Sequence, residues 1–265
     1  TTATNGYNVG VGFGAGQSVT TGLQNTLVGS LAGDAMTDSD ANVAVGYSAL
    51  GSETLGQYNT ALGYNSLATQ NSTTATNSYN TAVGFSSGFS VTTGTENVLI
   101  GGLAGDALTT GSANVALGTE ALSAEDGHGR NTAIGHQALL VQNAGADAYN
   151  VAVGFQTGKA VTTGLYNTLI GGDAGKSITT GQLNTVLGAF ALDAETAGNR
   201  SIAIGDSALG AQNFTTATDS YNIAIGSGAG AAVTVGTINT LIGGLAGDAL
   251  TTGDSNVAVG YVALS

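Results

Sequence analysis

Short runs of alternating small and branched apolar residues recur along the chain, each opened by asparagine and closed by glycine. The shared phrase is Asn–x–small/apolar–(Val/Ile/Leu)–Gly–x–x–small–(Gly/Leu). Its first position falls at Asn8, Asn25, Asn42, Asn59, Asn80, Asn97, Asn114, Asn131, Asn150, Asn167, Asn184, Ser201, Asn222, Asn239 and Asn256. Most intervals are 17 residues; the longer ones are 21 after Asn59, 19 after Asn131 and 21 after Ser201. Every fourth interval is therefore extended, and a second period of 70 to 72 residues overlies the first.

Seventeen residues are too few for a helix-turn-helix repeat, and no apolar stripe of period 3.6 is present. Val, Ile, Thr and Leu bounded by Asn and Gly read as a short strand between turns, and T-T-G, as in Thr109-Thr110-Gly111, reads as a second turn. The pattern predicts an all-β parallel β-solenoid with one rung per 17 residues, each rung carrying two short strands and two turns. Fifteen rungs at about 4.8 Å would make a rod of roughly 70 Å. Stacked Asn residues are expected to form a hydrogen-bonded ladder. A propeller with one blade per 72 residues is the alternative, disfavoured because four similar phrases do not suit four different antiparallel strand environments.

In N-V-A-L-G (114–118) Val115 and Leu117 point one way and Ala116 the other, so both strand faces are apolar. A strand apolar on both faces needs cover on both sides. The expectation is an obligate oligomer, with the small alanines letting a partner chain come close.

Four unit types alternate. The first is preceded by Tyr7, Tyr79, Tyr149 or Tyr221, and the second reads N-[TV]-L-[VI]-G. The third and fourth replace the ninth-position Gly by Leu. The twelfth position is apolar in the first two types, Glu in the third (Glu53, Glu125, Glu195) and Gln in the fourth (Gln70, Gln142, Gln212). Stacking would bring each Glu within reach of the next Gln. These carboxylates are candidates for an interior or an interface, where three copies would converge; the simpler expectation is that the position faces solvent.

Composition narrows the chemistry. Without cysteine there is no disulfide or thiol chemistry. Four Lys+Arg against 17 Asp+Glu give a net charge of −13, which excludes a nucleic-acid surface built on phosphate neutralisation. No apolar run is long enough to span a membrane. G-G-D-A-G-K-S-I-T-T-G (171–181) imitates a phosphate-binding loop, but Ile170 stands where its first glycine belongs. Sister copies at 101–111 and 243–253 read G-G-L-A-G-D-A-L-T-T-G, so the lysine is one variant of a surface slot. Asp34, Asp106 and Asp248 share that slot, but only every fourth rung, too far apart for a calcium roll. His128 and His136 are expected on the surface, and the Thr columns are too interrupted for an ice-binding face. No catalytic set recurs and no cofactor is expected, so the chain is read as not an enzyme.

The inserts at 72–79, 144–149 and 214–221 are the candidate recognition loops, since extra residues in a solenoid project from one face. Thr73, Thr74, Asn77, Tyr79, Asp147, Tyr149, Phe214, Thr215, Asp219 and Tyr221 suit polar and stacking contacts with glycans.

Phrases such as N-T-A-V-G-F (80–85), N-V-A-V-G-Y (42–47) and N-I-A-I-G (222–226) resemble the head repeats of YadA-like trimeric autotransporter adhesins. N-T-L-I-G-G-D-A-G-K-S-I-T-T-G (167–181) is similar to repeat arrays of phage tail-fibre proteins. The resemblance spans the whole chain, although the adhesin repeats are shorter and lack the insert at every fourth rung. It implies a homotrimer of left-handed β-rolls, 1–265 being a segment of a longer extracellular fibre that presents a recognition surface to a host glycan or protein receptor. A glycan- or calcium-binding module is the alternative.

Overall fold

The computed structural model describes residues 6–265, which divide into two compact units meeting after Arg130. Each unit is a parallel β-solenoid. The first holds seven three-residue strands, Val9–Val11, Thr26–Val28, Val43–Val45, Thr60–Leu62, Thr81–Val83, Val98–Ile100 and Val115–Leu117. The second holds eight, Thr132–Ile134, Val151–Val153, Thr168–Ile170, Thr185–Leu187, Ile202–Ile204, Ile223–Ile225, Thr240–Ile242 and Val257–Val259. Within each unit successive strands pair in parallel and in register, so that Ala44 lies beside Ala61, and Ala152 beside Leu169. Each repeat phrase is one rung.

The second expected strand is missing from most of the described rungs. After the three-residue strand the backbone takes φ near +140° at the fifth-position glycine, then returns to positive φ at the seventh and ninth positions, as at Gly84, Ser86 and Gly88. Such residues cannot continue a pleat, so the opposite side of the rung is a column of turns. Turn backbones still bond from rung to rung, as in Thr92 N to Thr109 O at 2.8 Å. Two-residue strands occur beside two inserts: Thr76–Asn77 pairs with Gly56–Gln57, and Thr218–Asp219 pairs with Gly198–Asn199.

The core reverses the expectation from the sequence about which strand face is inside. Alanines at the third phrase position (Ala44, Ala61, Ala82, Ala116, Ala133, Ala152, Ala203, Ala224) are buried in the rung. The larger Val, Leu and Ile residues at the second and fourth positions face outward, Leu62 and Leu187 both being exposed. The rung is too thin to hold large side chains from every direction, so residue size is shared out between positions.

That sharing explains the ninth-position alternation. Second-type rungs send a leucine inward from the strand (Leu27, Leu99, Leu169, Leu241) and carry Gly at the ninth position. A Cβ on Gly88 would lie 2.7 Å from Leu99 Cδ1 and 2.9 Å from Leu67 Cδ2. In the third- and fourth-type rungs the ninth position supplies a fully buried leucine instead, as at Leu50, Leu67, Leu122, Leu139 and Leu209. First-type rungs such as Ala82 with Gly88 are small at both positions and are filled by leucines of the rungs on either side, Leu67 and Leu99. Interiors packed to crystal-like density allow this exchange only in matched pairs.

The asparagine ladder forms within each unit. Asn42 donates to Asn25 Oδ1 from both its amide (3.0 Å) and its Nδ2 (3.1 Å). Amides of Asn97, Asn114, Asn167 and Asn239 likewise donate to the preceding Asn Oδ1 at 2.8–3.0 Å. Most of these Nδ2 groups also close their own rung by donating to a carbonyl 14 residues on, as Asn97 does to Gly111 O at 2.9 Å.

Inserts remove that closing carbonyl. Asn59 Nδ2 is buried with no hydrogen-bond partner, and the corresponding place in the third copy holds Ser201. Around Ser201 the job passes to serines: Ser201 Oγ contacts Ser220 Oγ at 2.6 Å, and the Asn222 amide donates to Ser220 Oγ at 3.4 Å. Ser78 occupies the equivalent place beside Asn80. Asn59→Ser is therefore expected to shift unfolding by less than about 1 kcal/mol, whereas Asn97→Ser loses about 2–4 kcal/mol by stranding buried partners. Paired urea melts of the two variants check this.

Candidate functional site

The inserts are anchored at their bases and open at their tips. Ser72 and Ser78 are buried, while Thr73, Thr74 and Asn77 are exposed. Tyr79 stacks on Tyr58 with ring centroids 5.3 Å apart, and its hydroxyl accepts from Asn77 Nδ2 at 3.3 Å. In the third insert Thr215 is exposed and Asp219 is bound from two sides, by Arg200 Nε (3.2 Å) and Asn199 Nδ2 (3.2 Å). The Tyr221 hydroxyl donates to the same carboxylate at 3.4 Å, and Arg200 lies over the Tyr221 ring. In the second insert Tyr149 is exposed and stacks on Tyr166, and Asp147 is half-buried.

Phe214 is a correction: it is buried, not offered for recognition. Its ring lies against Gly198, its amide donates to Glu195 Oε1 (3.0 Å), and its carbonyl accepts from Ala197 N (2.9 Å). Apolar burial against the preceding rung outweighs any role in a loop tip.

For the twelfth-position glutamates the interior reading holds and the simpler solvent-facing expectation is corrected. They do not face solvent: Glu53, Glu125 and Glu195 are wholly buried inside their own rungs. Nor do they face a partner chain. Glu53 Oε1 accepts from the amides of Thr54 (2.9 Å), Leu55 (3.1 Å), Gly56 (2.7 Å) and Ser72 (3.0 Å). Its Oε2 accepts from Gln70 Nε2 (2.8 Å) and Ser72 Oγ (3.4 Å). Glu195 repeats the arrangement with the amides of Thr196, Ala197, Gly198 and Phe214, and with Gln212 Nε2 at 2.8 Å. The role is structural: every carboxylate oxygen is met by amide or side-chain donors, which is what burying so polar a group requires. The bond to the glutamine of the next rung follows from the stacking that the sequence pattern implies.

Glu125 departs from this scheme. Its Oε1 accepts from His128 N at 3.3 Å, the Asp126 amide contributes more weakly, and its Oε2 is buried with no hydrogen-bond partner. Burial pushes its carboxyl above the ordinary value of 4.5, while the amide and imidazole of His128 pull it part of the way back. Burial also pushes Asp193 up, with Asp173 adding repulsion.

The G-K-S loop is a turn without a following helix, and Lys176 pairs with Asp173 at 3.0 Å. Beside it lies an open groove of about 420 Å³ lined by Val141, Lys159, Ala160, Lys176 and Ser177. Asp34, Asp106 and Asp248 are half-buried, and Asp106 Oδ1 accepts from Ser123 Oγ at 2.6 Å. No described helix is long and apolar enough to cross a membrane.

The outward strand face is apolar as the alternation implies, but it is the face of the large residues and not that of the alanines. In both units the second to fourth phrase positions carry no charged residue, although the chain has a net charge of −13. Exposed apolar residues line this face, Val43, Leu62 and Leu117 in the first unit and Leu187, Ile225 and Ile242 in the second. Aromatic columns flank it. Tyr47, Tyr64 and Phe85 stack at 5.2 and 5.5 Å on one side, and Tyr58 and Tyr79 on the other. His136 stacks on Phe155 in the second unit. The absence of charge at these positions holds across every repeat. Neither a family model nor a curated protein matches the chain.

Proposed function

We propose that the chain is a structural and adhesive fibre segment, assembled as a homotrimer outside the cell and presenting its insert loops to a host-surface glycan or protein receptor. One observation carries this reading: an outward parallel-sheet face with no charge, bordered by stacked aromatics, on an otherwise acidic chain. Apolar surface of that continuity marks an association site. The occupant is a second and third copy, because a repeat that presents the same strip at every rung is complemented by the same strip on an identical chain. The resemblance to trimeric adhesin heads and phage fibre arrays favours three copies over two. The tips of the inserts, Thr73–Thr74 and Thr215, remain exposed for contact with a receptor.

Sedimentation equilibrium tests the assembly. Three chains are expected at micromolar concentration, and Leu117→Glu on the outward face is expected to give smaller, still β-rich species. A monodisperse folded monomer of the unaltered chain overturns the proposal.

A further inference from the structure

In the third-type rungs the segment after the buried glutamate reads E-T-L-G-Q at 53–57 and E-T-A-G-N at 195–199, but E-D-G-H-G at 125–129. Four substitutions arrive together: Gly129 for Gln or Asn, Asp126 for threonine, Gly127 for an apolar residue and His128 for glycine. The last has a direct steric consequence. A Cβ on Gly56 would lie 2.5 Å from Glu53 Oε2, and one on Gly198 would lie 2.5 Å from Glu195 Oε2. A side chain at this position cannot coexist with the sister pose of the carboxylate, so Glu125 gives up most of the amides that hold Glu53.

The rung thus loses a neutralising shell and gains ligands of another kind. One donor atom each from Glu125, Asp126 and His128 lie within 4.8 Å of one another, and they are the one such group among the described residues. His128 Nδ1 is 3.7 Å from Glu125 Oε1. Two donors in the group are buried and have no hydrogen-bond partner, Glu125 Oε2 and His128 Nδ1, and the glutamate side chain is wholly buried. Asp126 is exposed and His128 half-buried, so an ion and its remaining waters have a way in. A buried carboxylate oxygen and a ring nitrogen without donors call for a cation.

We propose that Glu125, Asp126 and His128 form a binding site for a divalent transition ion of the zinc class, held by two carboxylates and one imidazole with water completing the shell. The imidazole selects against calcium and magnesium, which prefer all-oxygen ligands, and three protein ligands suffice for zinc with an open position. The sister rungs show what such an ion replaces: the amides that surround Glu53 and Glu195. It would fasten the turn of this rung by a means the others do not use.

The chain has two histidines, which makes the test clean. Tag-free protein stripped with chelator is titrated with zinc(II) by calorimetry and with cobalt(II) by absorbance and NMR of the imidazole protons. One ion per chain is expected at micromolar affinity, with cobalt perturbing the His128 ring well before the His136 ring. His128→Gln and Asp126→Asn should each weaken binding at least about tenfold, and His136→Gln should leave it unchanged. Absence of saturable binding below about 100 μM overturns the proposal. So does a preference for calcium, or equal binding by His128→Gln. The cobalt shifts are read on the unaltered chain and do not depend on a variant folding.

Discussion

Gly84→Ala is expected to lose about 3–5 kcal/mol of stability in the first unit, whereas Gly102→Ala should be neutral or slightly stabilising. Both are glycines next to a strand, yet their surroundings differ. Gly84 has φ +140°, and a Cβ there would lie 2.5 Å from Gly101 O and 2.7 Å from Gly101 C. The obstacle is backbone, so no rotamer change relieves it; the rungs must separate, straining bonds such as Gly101 N to Val83 O at 2.8 Å. Around Gly102 a Cβ would meet nothing within 4 Å. Urea melts followed by circular dichroism compare the two, and hydrogen exchange should place the Gly84→Ala damage in neighbouring rungs, since a solenoid transmits strain chiefly to nearest neighbours. Equal effects from the two variants would mean that steric stacking of the fifth-position glycine is not what makes it universal.

The second large effect concerns the buried anions. Under chelator at pH 7, Glu53→Gln is expected to cost about 2–4 kcal/mol. The substitution removes the charge that four amides converge upon, and it turns an NH₂ group toward donors if the remaining oxygen keeps its place. Glu125→Gln should behave oppositely, leaving stability unchanged or raising it, because that carboxylate is buried with a thinner amide shell and an unpartnered oxygen. The pH dependence follows from the raised pKa of Glu125. Its folded form binds a proton more tightly than the unfolded chain, so its contribution is complete below 4.5 and is lost as pH rises through the folded pKa. The advantage of Glu125→Gln should therefore appear at neutral pH and vanish in acid. Thermal melts of both variants at pH 4 and pH 7 measure it; a parallel loss in the two would show that all three glutamates are held alike.

Much of the fold was legible because its chemistry repeats. The Asn column, the fifth-position glycine and the pairing of Glu with the following Gln each needed only stacking to acquire meaning. The inside of the rung was not legible, because period-2 alternation identifies a face only when one face is polar. Here Ala116 and its neighbours Val115 and Leu117 are all apolar, and volume decided the matter. The choice between interior and solvent for the glutamates was not legible for a different reason: the groups that hold the Glu53 carboxylate inside are backbone amides, which every residue but proline carries and no sequence displays. Phe214 misled because an insert was treated as all tip, when its first residue is part of the wall. The cation site depended on His128 standing in a glycine slot, and that exception shows only against the sister rungs.

The exchange of bulk between strand and ninth position has a consequence for how the chain can grow. Slipping one rung against its neighbours would set leucine on leucine in one layer and leave a hole in the next, and would separate Glu53 from Gln70. A shift of four rungs restores every layer to its counterpart. Whole rungs can therefore be gained or lost without disturbing the interior in blocks of four, about 70 residues, while the inserts vary in length outside it. The rung is the unit of stacking, but the quartet is the unit of the packing pattern.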